Sequence, residues 1–334
     1  MKQTSGSRFG TVFGILISGV LIAAILSVFL GKYPANGFMP LKRLSEDPLA
    51  LRLVLNIRLP RVVMALLLGA ALASAGNVFQ MIFGNPMVEP GFLGVSQGAA
   101  FGAGFCIVAV TGSLWAVQLS AALFALCGLG CSYVLAKKIR YGGWVLRLIL
   151  SGIAVSAVFS SGIGLIKFVA DPMTELPEIT FWMLGGLYSV EWTDVVYVAP
   201  VVVVACAVLW KMRWRINVLS LNEETAYSLG TRPGFEKFLV LAVAAVATAA
   251  VVSVAGIIGW VGLIVPHVVR RLFRADGRYS VPASIVVGAG FSLVCDDIAR
   301  LLLPGEVPLG IITSAIGAVL FILVLATKYV RVSR

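Results

Sequence analysis

Long apolar runs, separated by short polar stretches, recur along the whole chain and constrain most strongly how it can fold. An α-helix needs about 20 predominantly apolar residues to cross the hydrocarbon core of a bilayer. The backbone must satisfy its own hydrogen bonds there, so runs of this length are expected to be helices. The sequence therefore predicts an all-α integral membrane protein with one transmembrane domain over residues 1–334 and about ten transmembrane helices. The spans are predicted at 9–30, 60–82, 92–111, 114–136, 144–169, 193–210, 236–256, 257–273, 281–303 and 307–327.

Composition favours lipid over water as the main surroundings of the chain. Of its 334 residues, 60% are hydrophobic and 12% are charged, whereas soluble domains carry roughly a quarter charged residues. The formal net charge is +11, which raises the question of nucleic acid. The basic residues lie between the apolar runs and form no single patch, so no nucleic-acid partner is expected.

Lys and Arg residues indicate the orientation, because they are enriched in cytoplasmic loops. With both termini in the cytoplasm, 18 of the 26 Lys and Arg residues lie on the cytoplasmic side, and Lys2, Lys328, Arg331 and Arg334 are among them. The basic segment 31–59 goes against this rule, since it is placed outside. Either the rule is overridden there or those charges have a partner.

Two stretches interrupt the helical pattern. Gly256, Gly259 and Gly262 mark a break between the seventh and eighth spans. The stretch 178–190 follows Pro177 and contains aromatic residues that suit a membrane surface. It is expected to be a short interfacial helix and not a full crossing.

A polar segment at about 220–230 predicts a short helix between the sixth and seventh spans. Ser220 and Glu223 have the spacing of a capping box, in which two side chains satisfy exposed backbone amides. Gly230 suits the left-handed position that closes a helix, and Pro233 prevents its continuation. Such an element is either a surface connector or a rigid docking helix for a cytoplasmic partner.

Charged residues at the predicted outer ends of spans two and nine are further candidates. Arg58 and Arg61 are expected at the outer water boundary, as snorkelling anchors or as docking residues for an acidic partner. Asp296 and Arg300 share one helix face at i,i+4 and predict a structural ion pair. Asp297 is placed on a different face.

The remaining polar residues predict no metal site and no catalytic residue. Glu89 is the only charge in the turn 84–91. His267 is expected to be a hydrogen-bonded structural residue, because one histidine cannot hold zinc without partners. The five cysteines lie inside apolar runs with no CxxC pair and are interpreted as small buried residues.

No Walker A motif is present in the sequence, so the energy for any transport must come from elsewhere. An ion-gradient-driven secondary transporter is the main alternative, but the spans contain few of the acidic residues that such transporters use. A passive channel or scaffold and a membrane enzyme are the other classes considered. The enzyme is the least favoured, because no nucleophile–base pair, paired catalytic carboxylates or metal cluster can be assembled.

From about residue 50 to the C-terminus, spaced motifs occur in the order found in one transport family. They are IRLPR at 57–61, GAALASAG at 69–76, FGNPMVEPGFLGVSQGA at 83–99, FWMLGGL at 181–187, LSLNEETAYSLG at 219–230, GWVGLIVPHVVR at 259–270 and EVPLGIITSAIGA at 306–318. The chain resembles the FecCD-type permeases of ATP-binding-cassette importers for ferric siderophores, haem and cobalamin. It departs from them at Asp296 and Asp297, two adjacent acids where relatives often have one.

The resemblance implies a type II ABC importer permease fold and a homodimer of permeases with its pathway on the two-fold axis. It implies two cytoplasmic ATPase subunits, which bind ATP and Mg, and a soluble substrate-binding protein, while this chain carries no cofactor. It also implies the cytoplasmic (inner) membrane of a prokaryote and import of a metal chelate by alternating access. Which chelate is carried stays open, since molybdate-type cargo shares the same scaffold.

The resemblance also assigns residues. The ATPase-coupling positions are Ser220, Asn222, Glu223, Glu224, Ala226 and Gly230. The positions that dock the binding protein are Arg58, Arg61 and Arg300. The pathway candidates are Ser96, Gln97, Ser156, Ser160 and Ser161.

Overall fold

The computed structural model describes residues 4–33, 35–110 and 113–326. Its helices, in chain order, are α1 (Thr4–Phe29), α2 (Lys42–Glu46), α3 (Pro48–Leu53), α4 (Leu59–Phe83), α5 (Val95–Ala109), α6 (Leu114–Lys138), α7 (Trp144–Val169), α8 (Glu175–Leu184), α9 (Trp192–Leu219), α10 (Glu223–Ser228), α11 (Pro233–Ala255), α12 (Val261–Phe273), α13 (Gly277–Leu301) and α14 (Leu309–Ala326). A π-helical turn (Val54–Arg58) joins α3 to α4, a 3-10 turn (Pro90–Leu93) precedes α5, and strands β1 (Leu30–Gly31) and β2 (Gly37–Phe38) pair antiparallel.

The prediction of about ten long helices is confirmed. They are α1, α4, α5, α6, α7, α9, α11, α12, α13 and α14. Seven of the described helices are long and apolar enough to cross a membrane. Helices α5 and α12 have 15 and 13 residues and are shorter than the predicted spans, because non-helical backbone precedes each of them. Lys2, Lys328, Arg331 and Arg334 lie outside the described residues, so the cytoplasmic termini remain a prediction.

The bounds of α8 and α9 differ from the predicted ones. Helix α8 is the short helix expected within 178–190, although it begins earlier, at Glu175. Helix α9 continues to Leu219, well past the predicted end at 210. This longer α9 changes where α10 begins.

The outward faces of several helices are apolar. Ile15 on α1, Leu123 on α6 and Val203 on α9 are more than half exposed, and Phe168 on α7 is 87% exposed. Side chains of this kind over such an area would be unfavourable in water and are suited to lipid. The all-α membrane fold is therefore confirmed by the surface as well as by the helices.

Helix α4 lies at the centre of the bundle and packs against α9, α11, α12 and α13. Small residues allow these helices to approach closely. Gly69 meets Gly288 of α13, and Gly76 meets Gly262 of α12, in each case backbone against backbone. The same holds for Gly98 of α5, which lies against the backbone of α6. Small residues of α4 and α5 therefore lie where the backbones of these helices contact their neighbours.

Replacing Gly76 with Ala tests this packing. The added Cβ would overlap the carbonyl of Gly262, which is backbone and cannot rotate away. We expect the free energy of unfolding to fall by about 1–3 kcal/mol, as for other overpacked cores. Gly130→Ala in α6 is the control, because its Cβ would meet nothing within 4 Å. Thermal unfolding in detergent measures both variants, and equal melting temperatures would contradict the proposed contact.

Candidate functional site

The short helix α10 begins at a different cap from the one predicted. The side chain of Asn222 accepts a hydrogen bond from the backbone N–H of Thr225 at 2.9 Å. Ser220 ends α9 instead, and its hydroxyl donates to the carbonyl of Asn217 at 2.7 Å. The predicted capping box of Ser220 and Glu223 is therefore wrong. Because α9 is longer than predicted, Ser220 belongs to its last turn and Asn222 caps α10.

The end of α10 closes as predicted. Gly230 has a left-handed φ of 82°, and its N–H donates to the carbonyl of Tyr227 at 2.9 Å. Ala226 is the buried residue of α10, whereas Glu223 and Glu224 are exposed and Tyr227 is 72% exposed. Helix α10 is thus capped at its start, terminated at its end, and presents two carboxylates and an aromatic ring outward.

Polar contacts fix the helices on either side of α10. Asn217 of α9 donates from Nδ2 to Asp276 Oδ1 at 2.7 Å, next to the start of α13. Burial alone would raise the pKa of Asp276, but hydrogen bonds from Arg278 and Asn217 outweigh this effect and hold the pKa below its ordinary value. Arg215 of α9 also pairs with Glu236 of α11 at 3.1 Å. The helices on either side of α10 are therefore held in place by polar contacts.

A non-helical segment, 256–260, separates α11 from α12. Gly256 and Trp260 adopt left-handed φ angles of 70° and 72°. Glycine adopts this conformation freely, whereas for tryptophan it is unusual. The carbonyl of Ala255 accepts a hydrogen bond from the N–H of Gly186 at 2.8 Å. The predicted break is therefore confirmed, and neighbouring backbone satisfies part of it.

A glutamine of α4 completes the hydrogen bonds of α12. Pro266 lies inside α12 and has no N–H to donate to the carbonyl of Gly262. Gln80 takes that place, with Nε2 3.2 Å from the Gly262 carbonyl oxygen. His267 Nδ1 lies 2.7 Å from the carbonyl of Leu263, so the expected hydrogen-bonded histidine is confirmed. Gln80 was missed by the sequence analysis, because nothing in the sequence pairs it with α12.

Two cavities border the break. The larger, of about 730 Å³, is lined by Met87, Glu89, Phe92, Met183, Leu184, Ile257, Gly259, Trp260, Leu263, Gly310, Ile311 and Ser314. The smaller, of about 290 Å³, lies on the other side of Glu89, Phe92, Ile257 and Gly259, which line both. Non-helical backbone is tolerated within a membrane where it is buried in protein or lines a cavity. The break and the turn before α5 meet this condition together.

Three of the predicted pathway residues lie together. Ser96, Gln97 and Ser156 line the smaller cavity. Ser160 and Ser161 lie on an exposed part of α7 and are not among the lining residues. The structure adds Glu89, which the sequence marked only as the lone charge of a turn, and Trp260, which the sequence analysis did not single out.

A buried ionic cluster joins the start of α4 to the end of α13. Arg61 donates from Nε and Nη2 to Asp296, with distances of 2.9–3.0 Å, and from Nη1 to Glu306 at 2.7 Å. The Asp296 side chain is fully buried, whereas that of Glu306 is 42% exposed. The main partner of Asp296 is therefore Arg61, and its predicted pair with Arg300 is a secondary contact of 3.3 Å.

The same cluster corrects two further expectations. Arg300 also bonds Asp297, and the Ser27 hydroxyl of α1 donates to Asp297 at 2.6 Å, so Asp297 is part of the cluster and not on a separate face. Arg58 donates to the backbone carbonyl of Tyr33 at 3.0 Å. Arg58, Arg61 and Arg300 are 6–7% exposed. Partners within the chain enclose all three side chains. Arg58 and Arg61 therefore do not lie at the water boundary, where they were expected.

An open groove lies beside this cluster. Its volume is about 430 Å³, and its lining residues are Arg61, Glu178, Phe181, Gly186, Leu187, Tyr188, Glu306, Val307, Pro308 and Leu309. Arg61 thus reaches the groove with one edge while most of its side chain is covered. Of the three predicted docking arginines, it is the one that lines this groove.

Comparisons with known proteins agree with this architecture. The FecCD transport family matches residues 19–327. The molybdate import system permease protein MolB of Haemophilus influenzae is 34% identical over 317 residues, 93% of each chain. A probable iron chelatin transport system permease protein of Helicobacter pylori is 39% identical over 270 residues, 81% of each chain. A solved inward-facing structure assigned to a metal-chelate type ABC transporter covers 95% of this chain and 99% of its own, with a TM-score of 0.88 and 33% identity.

Replacing Asp296 with Asn tests the buried cluster. Arg61 and Arg300 would lose the fully buried carboxylate that they share. Removing one partner of a buried pair leaves an uncompensated charge, so we expect the free energy of unfolding to fall by about 3–5 kcal/mol. Glu46→Gln breaks an exposed pair with Lys42 and is the control, with no measurable change expected. If denaturant unfolding gives the two variants equal free energies of unfolding, the cluster does not stabilise the fold as proposed.

Proposed function

This chain belongs to the FecCD transport family, and on that premise we propose that it is the transmembrane permease subunit of an ATP-driven importer. It moves a metal-chelate nutrient into the cytoplasm by alternating access and performs no chemistry on the substrate. The observation that carries this proposal is helix α10, which is capped at both ends, exposed on its outward side and packed against α11. Helix α11 in turn ends at the break beside both cavities. A force applied to α10 has a direct route to the backbone around the cavities.

The force comes from two cytoplasmic ATPase subunits, which bind ATP and Mg. Helix α10 is their contact surface, with Glu223, Glu224 and the exposed Tyr227 facing the ATPase. Asn222 and Gly230 keep the helix closed at its two ends, and buried Ala226 seats it on the bundle. Ser220 ends α9 immediately before it, and this chain needs no cofactor of its own.

The pathway runs along the two cavities and the break between them. Ser96, Gln97 and Ser156 offer hydrogen bonds to a polar cargo, and Glu89 is the charged group shared by the two cavities. A second copy of the chain completes the pathway on a two-fold axis. Ser160 and Ser161 contribute if the exposed part of α7 faces that axis.

The outer face receives a soluble substrate-binding protein through acidic residues. Arg58, Arg61 and Arg300 supply positive charge for this contact. Docking of an acidic partner also explains why the outer segment 31–59 is basic. Because all three are largely enclosed, contact begins at Arg61, which lines the outer groove.

The substrate class is a metal chelate such as siderophore iron, haem or cobalamin. Support comes from a relative named for iron chelatin transport and from the metal-chelate type transporter with the same fold. The relative named for molybdate import makes an oxyanion the alternative cargo. The location is the cytoplasmic membrane of a prokaryote, with both termini in the cytoplasm. This orientation rests on the distribution of Lys and Arg.

Replacing Tyr227 with Glu tests the coupling surface. A charge in place of an exposed ring would disfavour an apolar contact with the ATPase, so we expect the amount of co-purified ATPase and the rate of ATP-driven uptake to fall at least severalfold. Tyr141→Glu is the matched control, because Tyr141 is 76% exposed in another predicted cytoplasmic loop and should leave both quantities unchanged. Normal ATPase association in the Tyr227 variant would argue against α10 as the contact.

A further inference from the structure

The two cavities beside the break share one charged residue. Of the described residues that line them, only Glu89 carries a charge, and it lines both. The other lining residues are apolar or are neutral polar residues such as Ser96, Gln97 and Ser314. A single carboxylate therefore sets the sign of the charge that a molecule meets in either cavity.

Glu89 is held inside the bundle by its surroundings in the turn before α5. The next residue, Pro90, lies against Gly262 of α12, and Gly262 in turn meets Gly76 within α4. The backbone N–H of Trp260 faces the Glu89 carboxylate and stabilises its charge. Glu89 is partly exposed, and the cavities beside it are large enough to hold water, which solvates the carboxylate. It is thus fixed where the two cavities adjoin.

This carboxylate has no basic partner in the part of the chain that the structure describes. None of the ion pairs found there includes Glu89. Arg270, on the same helix as Gly262, donates to Gln80 Oε1 at 2.5 Å instead. In surroundings of low dielectric constant, a charge acts more strongly than it does in water. An unpaired carboxylate in a cleft therefore concentrates cations and repels anions.

We propose that Glu89 is the charge filter of the translocation pathway, which favours neutral or positively charged cargo and opposes anions. This inference rests on the proposed function and narrows it. The cargo is then a metal chelate without net negative charge, and an oxyanion such as molybdate is disfavoured. The lining of the larger cavity suits such a cargo, because Phe92, Trp260 and Leu263 offer apolar contacts to the organic shell of a chelate.

The test compares how fast two thiol reagents of opposite charge reach the larger cavity. Ser314→Cys places one thiol on its wall, and cysteine is absent from the described residues that line the two cavities. The lining residues Met87, Phe92 and Ile311 are 47%, 43% and 44% exposed, so the cavity is open on one side.

The permease–ATPase complex in lipid nanodiscs is treated, under ATP turnover, with a cationic or an anionic methanethiosulfonate. Each rate is divided by the rate of the same reagent with free cysteine, and reaction at the native cysteines is subtracted with the chain that retains Ser314. After this correction we expect the cationic reagent to be favoured about tenfold, the lower end of what charge focusing in a cleft supplies.

Three variants in the Ser314→Cys chain assign the preference to one carboxylate. Glu89→Gln keeps the shape of the side chain and an acceptor for the Trp260 N–H, but it removes the charge, and we expect the preference to disappear. Glu89→Asp keeps the charge and is expected to retain the preference. Glu178→Gln is the matched control, because Glu178 lies on α8 together with two cavity residues but lines only the outer groove. It should leave the preference unchanged.

The outcomes separate a charge filter from a structural role. Equal corrected rates while Glu89 is intact, as a protonated Glu89 would give, overturn the proposal. A preference that survives Glu89→Gln overturns it as well, and so does the absence of reaction with either reagent. The labelling requires neither cargo nor binding protein. A complex that shows the preference but takes up no cargo with ATP therefore contradicts the proposed function and not the filter.

Discussion

The structure depends on one constraint, which is that backbone polar groups buried in a bilayer must be bonded within the protein. This constraint makes nearly all of the described bundle helical and restricts departures from helix to protected places. At the 256–260 break the carbonyl of Ala255 is bonded by Gly186, and the carbonyl that Pro266 leaves without a donor is bonded by Gln80. Arg270 in turn bonds the Oε1 atom of Gln80 at 2.5 Å. This departure from helix thus has specific partners, and it borders the cavities.

The two ends of the bundle are fixed by polar contacts, and the break lies between them. At one end the ionic cluster ties α1, α4 and α13 together through Arg61, Asp296 and Arg300. At the other end Asn217 ties α9 to the start of α13. Helix α11 runs from the neighbourhood of α10 to the break, over 23 residues or about 35 Å. A rigid rod of this length can carry a displacement from α10 to the cavities.

The sequence predicted those features that depend on local pattern. Apolar runs located the ten long helices, clustered glycines located the break, and Gly230 located the end of α10. Most of the failures concern contacts between distant parts of the chain. Arg58 and Arg61 were expected at the surface, because nothing in the sequence places Tyr33 or Asp296 beside them. The cap of α10 was misplaced for a related reason, since packing extends α9 past the predicted end of the span.

The same distinction holds for the candidate site. Ser96, Gln97 and Ser156 were identified through the family resemblance, and they line one cavity. Glu89 and Gln80 were not, since a lone charge in a turn and a glutamine in a helix have no pattern of their own. Their positions follow from the way α4, α5 and α12 cross, which only the three-dimensional structure supplies.

The central claim is that this chain is a permease subunit that hydrolyses no nucleotide and is moved by a separate ATPase subunit. The most direct measurement is uptake into proteoliposomes that contain the chain, its ATPase and its binding protein, with labelled ferric siderophore, haem, cobalamin and molybdate offered in turn. The account predicts that one of these enters only when ATP is supplied, and that ionophores which remove proton and sodium gradients leave uptake unchanged. Uptake that continues without ATP and stops with the ionophores would contradict it.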